Sequence, residues 1–209
     1  MDAVRVLIAF YSRNGNTEAL AKAAAEGARS EGAEVRLRRA PDLLGPEIMQ
    51  KSPGWKENSD RMMAEYGAPS PADAEWADGI IFGSPTRFGL VSSELKAYVD
   101  SLGGLWAQGK LNLKAGSAFT STSSPHGGNE LTSFTMYAPM AHFGMVIVPP
   151  GYVNPKVFAT GAPYGATAVT GPNSDRGPTA DDLDVAKFQG ARVAQVAKAL
   201  KSVTAGSVR

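Results

Sequence analysis

The fold is decided by the stretch Val4-Arg5-Val6-Leu7-Ile8-Ala9-Phe10-Tyr11 and the loop that follows it directly, Ser12-Arg13-Asn14-Gly15-Asn16-Thr17. The first part is mostly apolar, as expected of a buried central strand, whereas the second is polar and contains one glycine. Beyond the loop, small apolar residues recur at helical spacing before a stop at Gly32: Leu20, Ala23, Ala24, Gly27 and Ala28. A buried strand, a short polar loop and a helix together begin an α/β fold with a parallel sheet.

The rest of the chain continues this alternation of strand and helix. Residues 34–38 alternate polar and apolar types, which predicts an edge strand with one solvated face. Apolar runs at 79–83, 116–120 and 145–148 predict a third, fourth and fifth strand. We therefore expect five strands, separated by helices.

Two helices have clear start signals. Ser92 and Ser93 are candidate caps for a helix after the third strand. Thr179 and Asp182 have the spacing of a capping box, and the closing helix that follows carries one apolar stripe along residues 183–200. These signals place helices between the strands and at the end of the chain.

An edge-like second strand beside an apolar first strand favours the order 2-1-3-4-5, with helices on both faces of the sheet. In such sheets a ligand binds beyond the carboxyl ends of the strands, near the point where the order reverses. The loops after the first, third and fourth strands are therefore the candidate sites. We expect one domain over residues 1–209, with residues 41–70 and the Gly/Pro-rich segment 151–178 added as long loops.

Composition excludes several classes of function. The formal net charge of +1 on 209 residues argues against nucleic acid or an anionic membrane as the main partner. There is no cysteine, which rules out disulfides and thiolate sites, and the only histidines are His126 and His142. Met1-Asp2-Ala3 lacks a basic leader, and no apolar run reaches membrane-spanning length. We expect a cytoplasmic protein without a metal.

The loop of residues 12–17 is a candidate phosphate site. It surrounds one glycine with hydroxyls and amides at a helix N-terminus, whose free N–H groups and positive dipole attract an anion. It lacks the lysine of a Walker loop and the three spaced glycines of a dinucleotide fingerprint. A hydroxyl-rich loop with one glycine is what flavodoxin-like proteins use for the terminal phosphate of FMN. An equally open reading is a capped helix whose polar residues only satisfy backbone groups.

The loop after the third strand has the residue types that a flavin ring requires. Pro85 and Phe88 can cover the flat ring, while Thr86 and Arg87 can donate hydrogen bonds to its pyrimidine edge. A positive charge there would stabilise the reduced ring. The alternatives are that Arg87 forms a surface ion pair and that Trp106, further along the chain, belongs to the core.

Four signatures occur in order along the chain: Pro85-Thr86-Arg87-Phe88-Gly89, Gly103-Gly104-Leu105-Trp106, Gly144-Met145-Val146-Ile147-Val148-Pro149 and Pro163-Tyr164-Gly165-Ala166. Together they resemble the WrbA family of NAD(P)H:quinone oxidoreductases. The resemblance implies a flavodoxin-like fold, bound FMN, NADH or NADPH as electron donor, a quinone substrate and a homotetramer.

The resemblance also implies roles for particular residues. The FMN phosphate would be held by Ser12, Arg13, Asn14, Gly15, Asn16 and Thr17. The flavin ring would be flanked by Pro85, Thr86, Arg87 and Phe88, with Trp106 lining the pocket above it. His142 would lie at the cofactor site.

The loop after the fourth strand departs from the family pattern. In the family it is glycine-rich and wraps the flavin's pyrimidine edge with backbone amides, which implies a role here for Ser121, Thr122, Ser123, Ser124, Gly127 and Gly128. The serines and Pro125 stand where the family has Thr and Gly, and His126 is expected in solvent. Asn14 replaces an aromatic residue that many relatives place near the nicotinamide.

The resulting hypothesis is a ping-pong cycle in which a hydride passes from NAD(P)H to flavin N5 and two electrons then pass to a quinone. Trp106, Phe88 and Tyr164 would form a slot for planar acceptors, beside Asn14. His142 and Arg87 would polarise the flavin or quinone oxygens.

Three other functions stay open. The first is an electron-carrier flavodoxin, although such carriers are strongly acidic and this chain is not. The second is a non-catalytic regulatory flavoprotein. The third is an NADP-binding Rossmann protein that uses Arg38 and Arg39 on the 2′-phosphate, although the required glycines are missing.

Overall fold

The computed structural model describes residues 3–206, so Met1 and Asp2, which belong to the predicted leaderless start, lie outside the described residues. The strands are β1 Arg5–Phe10, β2 Glu34–Arg39, β3 Gly79–Pro85, β4 Ala115–Thr122, β5 Val146–Ile147 and β6 Thr167–Val169. The helices are α1 Asn16–Ser30, α2 Pro46–Met49, α3 Trp55–Tyr66, α4 Pro71–Trp76, α5 Ser93–Ser101, α6 Gly103–Ala107, α7 Asn129–His142, α8 Val157–Thr160 and α9 Ala180–Gly206.

The strands form one parallel sheet in the order β2-β1-β3-β4-β5, as predicted, with β2 at an edge. Alternate residues of β1 face opposite layers, as the pleat of a strand requires. Val6, Ile8 and Phe10 join the core beneath α1 and α9, whereas Leu7 and Ala9 join the core beneath the α4–α7 side. The sheet is therefore covered on both faces, and the predicted three-layer architecture is confirmed.

The prediction of five strands was one too few, because the outer edge of β4 is shared by two short strands. β5 pairs only with Ala115 and Gly116, at the start of β4, while β6 pairs with residues 120–122 at its end. Val148 still donates to Gly116 O at 2.7 Å, but the next residues are Pro149 and Pro150, which have no N–H to continue the ladder. The Gly/Pro-rich segment 151–178 then returns to the same edge and supplies β6.

The segment 41–70 was expected to be a long loop, but it contains α2 and α3. Helix α3 buries Trp55, Ser59, Met62 and Tyr66, which are spaced three or four residues apart on one face. Charged residues separate them along the chain, so the apolar content of the segment is too low to reveal the stripe. The helix packs beside α1 and contributes Met62 and Tyr66 to the core on that face.

Both predicted helix starts are present. Ser92 accepts a hydrogen bond from Leu95 N at the start of α5. Before α9, Thr179 N donates to the Asp182 carboxylate at 2.8 Å and Asp182 N donates to Thr179 Oγ1 at 3.1 Å, which is a reciprocal capping box. Within residues 3–206, no helix has the length and apolar content needed to cross a membrane.

Candidate functional site

The loops after β1, β3 and β4 meet at the carboxyl edge of the sheet and line one open cleft. The predicted site residues that line it are Ser12, Arg13, Asn14, Asn16, Thr17, Pro85, Thr86, Arg87, Ser121, Thr122 and Ser123. The three loops selected from the sequence therefore do form one cavity.

The first loop presents backbone amides that have no acceptor. Among the described residues, the N–H groups of Arg13, Asn14, Asn16 and Thr17 donate to no protein atom. The loop turns at Gly15, whose φ of 89° lies in the left-handed region that favours glycine. Unpaired donors just before and within the first turn of a helix favour an anion, because the helix dipole adds to their partial charges.

Hydroxyl groups complete this end of the cleft. Ser12 Oγ accepts from Gly15 N at 3.1 Å, which closes the turn. Thr17 Oγ1 lies 2.9 Å from Ser121 Oγ, so the first loop is tied to the end of β4. Both Ser12 and Thr17 are almost fully buried. The donor set fits a phosphomonoester such as the terminal phosphate of FMN, with the unpaired amides as its ligands.

The second loop is held by hydrogen bonds to its neighbours. Thr86 N donates to Ser121 O at 2.8 Å, and Thr86 Oγ1 accepts from Gly89 N at 3.1 Å. Arg87 donates to the carbonyl of Thr86 at 3.0 Å, which keeps the guanidinium at the cleft. Phe88 is fully exposed and has a φ of 55°, which is costly for a bulky residue. The loop thus supplies a fixed positive charge and an aromatic side chain at the rim.

The third loop requires glycine for reasons of space. A Cβ on Gly127 would lie 2.3 Å from Thr122 Oγ1, and one on Gly128 would lie 2.9 Å from Thr86 Oγ1. Gly128 also has a φ of 110° and is the N-cap residue of α7. Gly127 and Gly128 therefore hold the second and third loops together, at the rim rather than in the lining of the cleft. Ser124 and His126 are exposed.

The segment after β6 closes the cleft, and the sequence did not identify its residues. Thr170 and Ser174 line the cavity. Thr170 N donates to Thr122 O at 2.8 Å, and Asn16 Nδ2 donates to Ser174 O at 3.3 Å. The Gly/Pro content of 151–178 was the available signal, but it could not show where in space the segment returns.

Trp106 and His142 lie at the other end of the molecule. Helices α5 and α7 run back from the carboxyl edge, so α6 and the end of α7 lie near the start of β4. Leu113 N donates to Gly144 O at 2.9 Å, which joins the two regions. Helix α7 has 14 residues and is therefore about 20 Å long. Both predicted side chains are exposed, and the structure does not bring them into the cleft of their own chain.

Tyr164 lies beside the middle of α7. Its ring centroid is 4.7 Å from that of Phe134, and its carbonyl accepts a hydrogen bond from the Tyr137 hydroxyl. Its side chain is 38% exposed and is not part of the cleft lining. The predicted slot of Trp106, Phe88 and Tyr164 is thus not assembled within one chain.

A buried polar network beneath the first loop was missed. Arg39 is fully buried and donates to Asp42 at 2.7 Å, so it cannot reach a nucleotide phosphate as the Rossmann reading required. Burial would raise the pKa of Asp42, but hydrogen bonds from Ser59, Tyr11, Arg39 and Trp55 outweigh it and hold that pKa below its ordinary value. A signal for this burial was present in the sequence, because Arg39 lies on the same face of β2 as Val35 and Leu37, which pack against the core.

Comparison with known proteins agrees with this geometry. The sequence matches the family model described as NADPH-dependent FMN reductase over residues 3–159. It is 43% identical to an NAD(P)H dehydrogenase (quinone) of Archaeoglobus fulgidus, over 94% of this chain and 98% of that protein. A protein of the same description from Methylocella silvestris is also 43% identical, with the same shares covered.

Solved structures show the same fold. A WrbA-like flavodoxin from Agrobacterium tumefaciens superposes with a TM-score of 0.66 at 24% identity, covering 94% of this chain and 99% of that chain. A flavodoxin from the domain Archaea gives a TM-score of 0.61 at 19% identity, covering 93% and 99%. At these identities the likeness establishes the fold alone, which is flavodoxin-like.

Proposed function

The chain belongs to the NADPH-dependent FMN reductase family, and from this membership we propose that it is an FMN-dependent NAD(P)H:quinone oxidoreductase. The observation that carries the proposal is the cleft whose first loop offers four backbone amides without an acceptor. The relatives' description as NAD(P)H dehydrogenases of quinones supplies the substrate class. The family predicted from the four signatures is confirmed.

Bound FMN supplies the redox chemistry, since its ring can take a hydride at N5 from NADH or NADPH and pass two electrons to a quinone in a ping-pong sequence. The protein's part is to bind the FMN, to orient its ring and to tune the reactivity of that ring. Residues 12–17 hold the phosphate through their amides and the hydroxyl of Thr17. Thr86, Ser121 and Thr122 face the cleft, where their hydroxyl groups would donate to the polar parts of the cofactor.

Arg87 and Phe88 act at the ring in this proposal. Because the Arg87 guanidinium is anchored on the Thr86 carbonyl, its charge stays at the cleft, where it favours added electron density on the pyrimidine edge. Phe88 has no apolar cover of its own, so a planar ligand or a neighbouring copy would bury its ring. Asn14, which is exposed at the cleft, lies where the nicotinamide or the quinone would enter.

We also propose that the active form is a homotetramer and that Trp106 and His142 act on the cleft of a neighbouring copy. Large exposed apolar side chains support an interface: Phe88, Leu90, Trp106, Leu131, Phe134, Tyr152, Val153 and Phe158. Sedimentation should give a species near four chains. Mixing chains that carry Arg87→Ala with chains that carry Trp106→Ala should restore part of the activity, and a mixture as inactive as its components would count against shared sites.

The decisive experiment is rapid-mixing reduction of the FMN-loaded protein. NADH or NADPH should bleach the flavin absorbance, and a following addition of a quinone should restore it. An electron-carrier flavodoxin would instead be bleached by dithionite and by neither nucleotide, and that result would refute the enzyme proposal. We further propose a cytoplasmic location, where both nucleotides are available.

A further inference from the structure

We propose that Arg39, held by Asp42, is the positioning residue that aims the first loop at the phosphate of FMN. This inference rests on the proposed function, because it assumes that residues 12–17 hold that phosphate. It concerns side chains that neither the family signatures nor the lining of the cleft include. Arg39 acts through the backbone of the loop and does not touch the ligand.

The guanidinium of Arg39 holds the carbonyl oxygen of the first residue of the loop. Nε donates to Ser12 O at 3.3 Å and Nη2 donates to the same oxygen at 3.0 Å. Arg39 is 0% exposed, so water does not compete for these bonds. A planar fork of two donors on one oxygen fixes the direction of the carbonyl more firmly than a single donor.

The direction of this carbonyl decides the direction of the next amide. A trans peptide is planar, so its C=O and N–H groups point to opposite sides. Since Ser12 O points into the buried network, Arg13 N–H points away from it. That amide is one of the donors without a protein acceptor, and Arg13 lines the cleft. The buried arginine therefore turns a backbone donor outward for the ligand.

Asp42 holds the arginine in place. Its carboxylate accepts from Arg39 Nη2, from Tyr11 OH and from Trp55 Nε1 at 2.7 Å each, and from Ser59 Oγ at 2.5 Å. The two opposite charges balance, so the pair contributes orientation rather than net charge to the phosphate site. A buried pair with all its hydrogen bonds made is well suited to fixing one geometry.

Helix α3 holds the side chain of Arg13 outside the network. The Arg13 guanidinium stacks 3.5 Å from the centroid of the Trp55 ring and donates to Ser52 Oγ at 2.7 Å. Trp55 thus contacts the loop and Asp42 at once. The segment between β2 and β3 serves as the support on which the phosphate loop rests.

The test compares FMN with riboflavin, which has the same ring and no phosphate. Each is titrated into full-length apoprotein, with binding followed by flavin fluorescence. The main variant is the double substitution Arg39→Met with Asp42→Asn, which removes both charges together and leaves no buried ion unpaired. Arg39→Lys keeps the charge but loses the fork. Arg36→Met is the matched control, since Arg36 lies on the same strand but contacts Asp73 and Trp76.

We expect the double variant and Arg39→Lys to raise the Kd for FMN about tenfold or more while the Kd for riboflavin changes less than about twofold. A tenfold change is about 1.4 kcal/mol. Arg36→Met should change neither constant. A variant that is folded by circular dichroism and keeps the wild-type ratio of the two constants would overturn the inference, as would an equal weakening of both ligands.

The two proposals fail in different ways. If wild-type apoprotein binds no FMN, the proposed function is refuted and this inference falls with it. If wild type binds FMN but the folded variants discriminate FMN from riboflavin as wild type does, only the role of Arg39 is refuted. Should the double variant not fold, Arg39→Lys decides the question, because it preserves the ion pair with Asp42.

Discussion

Helix α1, whose first turn begins at the phosphate loop, packs against two helices in opposite ways. At its contact with α9, the two helix backbones approach closely because glycine has no side chain. A Cβ on Gly190 would lie 1.9 Å from Ala24 O, and one on Gly27 would lie 1.8 Å from Lys187 O. Its contact with α3 consists of charged and polar side chains. Glu18 is buried there and accepts from Arg61 at 2.6 and 2.8 Å and from Tyr66 at 2.7 Å.

The difference separates two means of fixing a helix beside a binding site. The α9 contact depends on shape, so any added volume must move the backbone. The α3 contact depends on a carboxylate whose burial is offset by donors, so it responds to charge and to pH. Substitutions at Gly190, Glu18 and Lys22 therefore distinguish the two contacts.

Gly190→Ala should be the most damaging change. The added methyl meets backbone atoms of Ala24, which cannot rotate away, so we expect the free energy of unfolding to fall by about 3 kcal/mol or more. Denaturant unfolding of the apoprotein measures it. The control is Gly103→Ala in α6, where a Cβ meets nothing within 4 Å and stability should hold or rise by ~0.5–1 kcal/mol. Equal effects of the two changes would contradict the shape argument.

Glu18→Gln should have an intermediate effect. The amide keeps the size of the side chain but removes the charge that Arg61 and Lys22 face, so stability at neutral pH should fall by about 1–3 kcal/mol. The matched control is Glu26→Gln on the same helix, because Glu26 is exposed and its ion pair is with Lys187, which is also exposed. That control should change stability by less than ~0.5 kcal/mol. A loss as small as this at Glu18 would refute the charge argument.

The α3 contact should also weaken in acid. Burial would raise the pKa of Glu18, but hydrogen bonds from Arg61, Tyr66 and Lys22 outweigh it and lower the pKa from 4.5 to about 2. The folded state thus gains stability from this carboxylate above pH 4.5, and the gain is lost as the pH falls toward 2. Thermal unfolding across this interval should show a shallower decline in Glu18→Gln than in wild type. Parallel curves would show that Glu18 titrates normally.

Lys22→Gln should have the smallest effect. Lys22 pairs with Glu18 at 3.0 Å, but its side chain is 52% exposed. Arg61 already donates to both oxygens of the same carboxylate. We expect a loss of ~0.5 kcal/mol or less that shrinks further as salt is added. Arg61→Met, the matched change at the better-placed cation, should cost more. An equal loss of stability from Lys22→Gln and Arg61→Met would contradict the assignment of Arg61 as the main partner of Glu18.

The parts of the site that could be predicted are those next to a strand end. Residues 12–17, 85–88 and 121–123 each lie at or just after the carboxyl end of a strand. Neighbouring parallel strands bring these ends together whatever lies between them along the chain. Thr170 and Ser174 could not be found in this way. Ser174 meets Asn16 across 158 residues of chain, and no local pattern encodes that approach.

Two expectations depended on direction or register. Trp106 and His142 were assigned to the flavin by resemblance. Trp106 lies on α6 and His142 at the end of α7, however, and both positions are near the start of β4, away from the cleft. Arg39 was considered only as a donor to a nucleotide 2′-phosphate, whereas it lies on the inward face of β2 and is fully buried. An arginine in the apolar phase of a strand indicates a buried counter-ion, and here Asp42 is that counter-ion.

The residue pattern alone predicted the alternation of the first five strands with helices, their order in the sheet and the loop that offers its amides to an anion. Each follows from contacts within one strand, loop or helix, where hydrophobic period and turn chemistry act over a few residues. Three features became visible only in the folded chain: α3 supports this loop, β6 completes the edge of β4 and Arg39 turns inward. Those outcomes depend on which distant surfaces meet and exclude water, and a linear pattern does not record that.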